Sequence, residues 1–259
     1  MQMRQTQKGF TLVEMAIVLA VIGLILGAIM IGKDVQRNAE YTKIKQKFVD
    51  QWVVAYNTHY ARTGVPIGDR QTAPRLMVNG DAYTPVLNVI SGGDMGAATA
   101  PAAICDKGSA PTIAPVTTKL DLRDLMLRQG IRLPPGRAES FEDRYVYLDT
   151  NGNPQEVQIC FQWNKPGTAS GSGNVMVLTG LTPDLARTLD QMIDGKPDAQ
   201  EGVFRLQGVV NGTPNGPGVE WSGNNTVAYA DRATGTAING TKLDEDQVMT
   251  LTAHFKMNQ

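Results

Sequence analysis

The sequence has little of the residues from which most enzyme sites are built. Among 259 residues only two are histidine, His59 and His254, and only two are cysteine, Cys105 and Cys160. It contains no H-E-x-x-H, G-x-x-x-x-G-K-[ST] or G-x-S-x-G motif and no cysteine cluster with zinc-ligand spacing. These absences argue against zinc peptidases, P-loop nucleotide-binding proteins and α/β-hydrolases, and we predict no catalytic residues, metal or cofactor.

A strong charge of either sign is also missing. The chain has 24 basic and 25 acidic residues, a formal net charge of −1 and a pI near 6.1. A protein that binds nucleic acid through broad electrostatics is usually basic, so no nucleic-acid partner is predicted. Apolar residues make up 42% of the chain, which suffices for one sizeable packed domain.

Charge is absent altogether from residues 15–32, whose sequence is MAIVLAVIGLILGAIMIG. As a helix this run covers roughly 27 Å, close to the bilayer core of about 30 Å. A secretory signal peptide has a shorter apolar core and a small-residue cleavage site, and neither is found here. The pattern therefore predicts a retained membrane helix, and Arg4 and Lys8 before it favour a cytoplasmic N-terminus.

One carboxylate, Glu14, lies directly before the apolar run. A carboxylate within a membrane costs about 2.5–3.5 kcal/mol on insertion scales, so such a residue is a functional candidate. Taken alone, Glu14 is equally well explained by a position among the lipid headgroups.

The residues before Glu14 favour a function. The stretch Lys8-Gly9-Phe10-Thr11-Leu12-Val13-Glu14, followed by an apolar helix, resembles the processing site of the type IV pilin and pseudopilin family. In that family a membrane peptidase cleaves after the glycine and methylates the new N-terminal residue. The resemblance covers roughly residues 8–32. It implies cleavage between Gly9 and Phe10, methylation of the Phe10 amine and an assembly role for Glu14.

The physical chemistry of the motif is consistent with assembly. Cleavage leaves a positive amine at Phe10, one helical turn from Glu14, and an amine partner relieves the cost of the carboxylate. Our hypothesis is that the partner in a filament is the Phe10 amine of a neighbouring subunit, which sets the register. The resemblance implies four partners: prepilin peptidase, other pilin or pseudopilin subunits, the inner membrane before assembly and an inner-membrane assembly platform.

Beyond the membrane run the helix continues with an apolar stripe. Its members recur three or four residues apart and are Tyr41, Ile44, Phe48, Trp52 and Ala55. The helix is expected to end near Arg62, because Gly64 and Pro66 follow. We therefore divide the chain into a cleaved leader (1–9), a transmembrane and filament-core helix (10–33), an amphipathic continuation (34–63) and a globular head (64–259).

The sequence of the head predicts strands connected by short helices and turns. A hairpin is predicted from strands at 144–148 and 156–161, joined through Asn151-Gly152. Further strands are predicted at 83–90, 175–178, 203–210 and 249–255, and helices at 118–129 and 182–195, with Asn-Gly turns at 211, 215 and 239. The expected fold is α+β, a long N-terminal helix packed on a mostly antiparallel sheet, as the pilin-like resemblance also implies.

Three features of the head and helix leave alternatives open. Cys105 and Cys160 predict a disulfide if the head lies outside the cytoplasm, the alternative being two unrelated buried thiols. Gly23 and Gly27 have the G-x-x-x-G spacing of close helix contacts, which is also common background in membrane helices. The loop 149–153 alternates oxygen ligands, but Cys160 stands where an EF-hand has glutamate, so a plain turn is favoured over a looser calcium loop.

The acidic residues around the second short helix of the head are interpreted as a solvated face, with cation binding as the alternative. They are Asp184, Asp190, Asp194 and Asp198.

Function follows from the N-terminus. The sequence predicts a filament subunit, held in the inner membrane by a single span with its head in the periplasm and then moved into a periplasmic or extracellular fibre. Its length favours a minor pilin or a large pseudopilin, of a type IV pilus or a type II secretion system. The alternative is an adhesin or binding module displayed by this anchor, and a membrane-anchored enzyme is disfavoured by the missing motifs.

Overall fold

The structure, a computed structural model, describes residues 11–84, 95–106, 117, 120–209, 218–221 and 248–257. The chain forms two compact units, Met1–Thr42 and Lys43–Gln259. Within the described residues the first unit is helical, and the second contains a sheet with helices around it.

One continuous helical stretch opens the chain. Helix α1 (Leu12–Ile44) is followed by one π-helical turn at Lys45–Val49 and by α2 (Asp50–Thr63). Gly64 ends the stretch at φ 75°, in the left-handed region, and its N–H donates to the Tyr60 carbonyl. A glycine adopts this conformation without steric cost, so the helix ends where the sequence predicted.

The apolar stripe forms part of the core, as predicted. All five of its members are buried: Tyr41, Ile44, Phe48, Trp52 and Ala55. In the second unit, Trp52 and Tyr56 of α2 lie against Phe161, with ring centroids 6.3 and 5.1 Å apart. The Trp52 indole N–H also donates to the Glu142 carbonyl at 3.2 Å, so α2 is joined to the head by aromatic packing and a hydrogen bond.

The described sheet has five antiparallel strands in the order β1-β2-β3-β5-β4. Their bounds are β1 (Arg144–Leu148), β2 (Pro154–Asn164), β3 (Gly173–Leu181), β4 (Phe204–Leu206) and β5 (Leu251–Lys256). A long helix packed with an antiparallel sheet confirms the predicted α+β, pilin-like fold class.

Most predicted elements of the head exist but have different bounds. The strand predicted at 203–210 is limited to Phe204–Leu206, since the chain turns away at 207–208. The helix predicted at 118–129 is α3 (Leu122–Arg128), capped by the Asp121 carboxylate. The strand predicted at 83–90 falls largely outside the described residues, and the three Asn-Gly turns after residue 210 fall wholly outside them.

Helix α4 (Pro183–Ile193) begins and ends as its sequence predicts. Thr182 is the N-cap and its hydroxyl accepts the Leu185 N–H at 3.4 Å, with proline at the first helical position. Gly195, at φ 78°, follows the helix end. The buried face carries Leu185, Ala186 and Leu189.

An irregularity at the end of β3 depends on one glycine and one tyrosine. The pairing of β3 with β5 shifts register between Leu178 and Leu181, and Gly180 has φ 79°. The Tyr147 hydroxyl donates to the Gly180 carbonyl at 2.8 Å and accepts the Thr182 N–H at 2.9 Å. A Cβ on Gly180 would collide with the Glu156 carbonyl oxygen of β2, so only glycine fits this position.

We expect Gly180→Ala to lower the free energy of unfolding by at least about 2 kcal/mol, because it adds a backbone clash to the strain of a positive φ. The matched control is Gly152→Ala, which also has a positive φ, at 87°, but open space around its Cα. The control should cost about 1 kcal/mol. Denaturant unfolding of both variants measures the difference, and equal losses would contradict the assigned role of the clash.

Candidate functional site

The candidate site begins at the first turn of α1, where Thr11 and Glu14 bond to each other. The Thr11 N–H and hydroxyl donate to the Glu14 carboxylate, to Oε2, at 2.8 and 2.9 Å. In return, the Glu14 N–H donates to the Thr11 hydroxyl oxygen at 3.2 Å. This reciprocal arrangement is a capping box, which satisfies helix N–H groups that otherwise have no partner.

The capping box gives Glu14 a defined place before any partner chain is present. Its negative charge lies at the positive end of the helix dipole, and its carboxylate is already hydrogen-bonded. The T-x-x-E signature of residues 11–14 is visible in the sequence, but reading Glu14 only as the partner of an amine overlooked it.

Two of the predicted site residues cannot be placed beside Glu14. Gly9 and Phe10 lie outside the described residues. Cleavage at their bond and pairing of Glu14 with the Phe10 amine therefore stay predictions.

The apolar part of α1 that follows Glu14 is exposed in the described structure. Every residue from Thr11 to Gln36 is exposed, and residues 12–63 contain a stretch that is long and apolar enough to cross a membrane. At Gly23 and Gly27 a Cβ would meet nothing within 4 Å. The G-x-x-x-G face is thus open to lipid or to another helix, and its use in packing stays a prediction.

Residues 4–30 match the family model described as the prokaryotic N-terminal methylation motif. The chain carries a type IV pilin-like N-terminus. The match covers residues 4–9 of the predicted leader and most of the apolar run, and it supports the recognition of a type IV pilin or pseudopilin. No curated protein and no solved structure matches the chain significantly. The pilin-like assignment therefore rests on the N-terminal segment together with the fold.

In the head of this pilin-like chain, Cys105 and Cys160 are joined in a disulfide. Next to it, Ile104 and Phe161 exchange two backbone hydrogen bonds of 2.8 and 2.9 Å. The disulfide therefore fixes the segment 101–105 along the edge of β2. It closes a loop of 55 residues, a constraint worth about 4 kcal/mol in the chain-entropy model.

The loop 149–153 is a turn that uses its own carboxylate. Asp149 accepts the Asn151 and Asn153 N–H groups at 2.9 and 2.8 Å and the Gln155 side-chain amide at 3.0 Å. Burial opposes ionisation of Asp149, but these hydrogen bonds outweigh it and hold the pKa below its usual value. Asp149 thus has a structural role in the hairpin, and the described residues contain no cluster of three or more His, Cys, Asp or Glu suited to a metal ion.

The prediction of a solvated acidic face around α4 is wrong. Asp190 and Asp198 are buried, because the chain after α4 folds back over them. Asp190 accepts the Asp198 N–H and the Trp221 indole N–H, both at 2.7 Å. Asp194 accepts the N–H groups of residues 203 and 204 at 2.9 Å. Asp184 pairs with Arg187, and the buried Asp198 carboxylate lies 3.0 Å from the amine of the exposed Lys196.

Burial raises the pKa of Asp190 to about 7, against an ordinary value of 3.8. The folded state then binds a proton that the unfolded chain has lost, so this residue makes the free energy of unfolding fall as the pH rises from about 4 to 7. We expect Asp190→Asn to remove this contribution. The stability difference between wild type and variant should change by up to about 1.4 kcal/mol per pH unit in that window.

Denaturant unfolding at several pH values checks this expectation. Asp184→Asn is the control, because it removes a partly exposed carboxylate from the same helix. If the stabilities of Asp190→Asn and the wild type change in parallel between pH 4 and 7, the assignment of a raised pKa to Asp190 fails.

Proposed function

We propose that this chain is a structural subunit of an extracytoplasmic filament, a minor pilin or a pseudopilin that assembles through its N-terminal helix. The observation that carries the proposal is the exposure of every residue from Thr11 to Gln36, in a segment that also matches the methylation motif. An apolar helix that the described part of its own chain leaves uncovered needs lipid or other helices around it. A filament subunit uses lipid before assembly and other helices after it.

The same N-terminal segment supports proteolytic processing of the chain. Prepilin peptidase would cleave between Gly9 and Phe10 on the cytoplasmic side, leaving a mature chain that starts at Phe10 with a methylated amine. The basic residues Arg4 and Lys8 support a cytoplasmic leader, with the head in the periplasm. The disulfide of the head supports the same orientation, since the periplasm is oxidising.

Glu14 then changes partners during assembly. In the single chain its carboxylate is bonded to Thr11, which keeps it hydrogen-bonded at the membrane surface. In the filament it pairs with the Phe10 amine of a neighbouring subunit, and this charged partner is within reach only when the two subunits are in the correct register. Subunits offset along the fibre would leave both charges unpaired, which is costly in low dielectric.

The length of the mature chain favours a minor component of the filament. About 250 residues would follow the cleavage, more than a usual major pilin has in such families. The role is therefore one of a minor pilin of a type IV pilus or a large pseudopilin of a type II secretion system, inserted by an inner-membrane assembly platform. We assign it no catalytic activity.

Processing is tested by the mass of the protein purified from a host that has prepilin peptidase. We expect a chain that begins at Phe10 and carries one added methyl group. In a host without the peptidase the mass should be that of the full 259 residues. An intact Met1 in the first host would refute the processed-pilin function.

Assembly is tested by Glu14→Leu. We expect cleavage at Gly9 to continue, since the substitution lies outside the cleaved bond, while incorporation into sheared filaments falls at least tenfold because the amine loses its partner. The control Asp34→Asn removes an exposed carboxylate from the same helix beyond the apolar run. Equal incorporation of Glu14→Leu and wild type would show that Glu14 does not set the register.

A further inference from the structure

The head contains a cavity of about 530 Å³ at the C-terminal end of β2. Its walls come from the segment 97–101, the end of β2, the loop 165–170 and β5. Four of its lining side chains are polar and more than nine-tenths buried: Gln162, Asn164, Ser170 and His254. The volume lies in the range of small-molecule sites.

Strand register explains why these side chains meet. Gln162 and Asn164 are two residues apart on β2 and share a face of the sheet. Cys160, on that same face, is paired with Val177 of β3, which in turn is paired with His254 of β5. The buried side chains of Gln162, Asn164 and His254 therefore lie on the face of the sheet that also carries the disulfide.

A chain of hydrogen bonds fixes the orientation of each amide. The Asn164 amide nitrogen donates to the Gly171 carbonyl at 2.9 Å, and since a carbonyl only accepts, the Asn164 oxygen must point the other way. That oxygen accepts the Gln162 amide nitrogen at 2.6 Å. The Gln162 Oε1 is then a buried acceptor that has no hydrogen-bond partner among the residues the structure describes.

The same network of hydrogen bonds determines which ring nitrogen of His254 carries the proton. Its Nδ1 accepts the Asn164 amide at 3.0 Å and lies 2.6 Å from the Ser170 hydroxyl. Burial lowers the pKa of His254 to about 4, so the ring is neutral at pH 7 and its proton is on Nε2. This Nε2–H is a buried donor, and the described part of the chain offers it no partner either.

Buried polar groups are nearly always hydrogen-bonded, so an unpaired donor and an unpaired acceptor around one cavity point to a missing ligand. A hydroxyl group both donates and accepts, and therefore matches this pair. Among the described lining residues there is no carboxylate to hold a cation, and the single charged one, Lys165, is exposed. Trp163 adds apolar surface to the wall.

We propose that this cavity binds a neutral sugar residue, whose hydroxyls bond to Gln162 and His254. The head would then give the filament a glycan-binding function in addition to its structural one. The proposal does not depend on cleavage at Gly9, because all the lining residues belong to the head. Its failure would leave the processing and assembly results untouched.

The test uses the full chain in a zwitterionic detergent, since a detergent with a sugar headgroup would compete. An array of neutral glycans finds the preferred terminal sugar, and calorimetry with that monosaccharide measures its affinity. We expect binding by the wild type and at least tenfold weaker binding by Gln162→Met, which removes the unpaired acceptor at similar volume. Gln51→Met, on the exposed side of α2, is the matched control and should bind as the wild type does.

A second variant covers the case in which Gln162→Met does not fold. Ala100 is an exposed residue in the wall of the cavity, and Ala100→Trp places a large side chain there while keeping Gln162 and Asn164 unchanged. This variant should abolish binding. The proposal is overturned if the wild type binds no neutral glycan, or if Ala100→Trp binds as well as the wild type. It is overturned likewise if only acidic glycans bind and Lys165→Ala abolishes that binding.

Discussion

The first half of the long helix requires a cover that the described residues of its own chain do not supply. Fourteen large apolar side chains between Leu12 and Ile31 are about half exposed or more. At about 1 kcal/mol for each half-buried side chain, leaving them in water would cost on the order of 15 kcal/mol, comparable with the whole stability of a domain. The helix must therefore remain in one of two states, in lipid or among other helices. The capping box holds Glu14 hydrogen-bonded in the first state, and the amine of a neighbour would hold it in the second.

Short-range sequence patterns predicted those features of the fold that depend on interactions between residues close in sequence. The helix ends at Gly64 because a left-handed residue is needed there, and α4 begins at Thr182 because its hydroxyl caps the first turn. The apolar stripe predicted the buried face of the helix, since only one side of it contacts the head. At the candidate site, the motif around Gly9 predicted the family, and the threonine three residues before Glu14 would have predicted the capping box.

The buried polar groups of the head could not be predicted in the same way. Trp221 covers Asp190 from 31 residues away, and Asn164 meets His254 across 90. Neither periodicity nor turn chemistry records which distant segment folds over a given face. For this reason four aspartates near one helix looked solvated, although two of them are buried hydrogen-bond acceptors. The same lack of long-range information hid the cavity at the end of β2, which exists only after β5 has been placed beside β3.

The sheet ends on a very short strand in the described part of the chain. Strand β4 has three residues, Phe204–Leu206, and so offers few unpaired backbone groups to another sheet. In the proposed fibre the heads of successive subunits would be held at high local concentration, where a long free edge would favour strand addition between heads. Such pairing would bind subunits in whatever offset brought two edges together. In the proposed fibre, the short β4 edge would leave the offset of the subunits to their helices, and the head could then vary in what it binds without changing that offset.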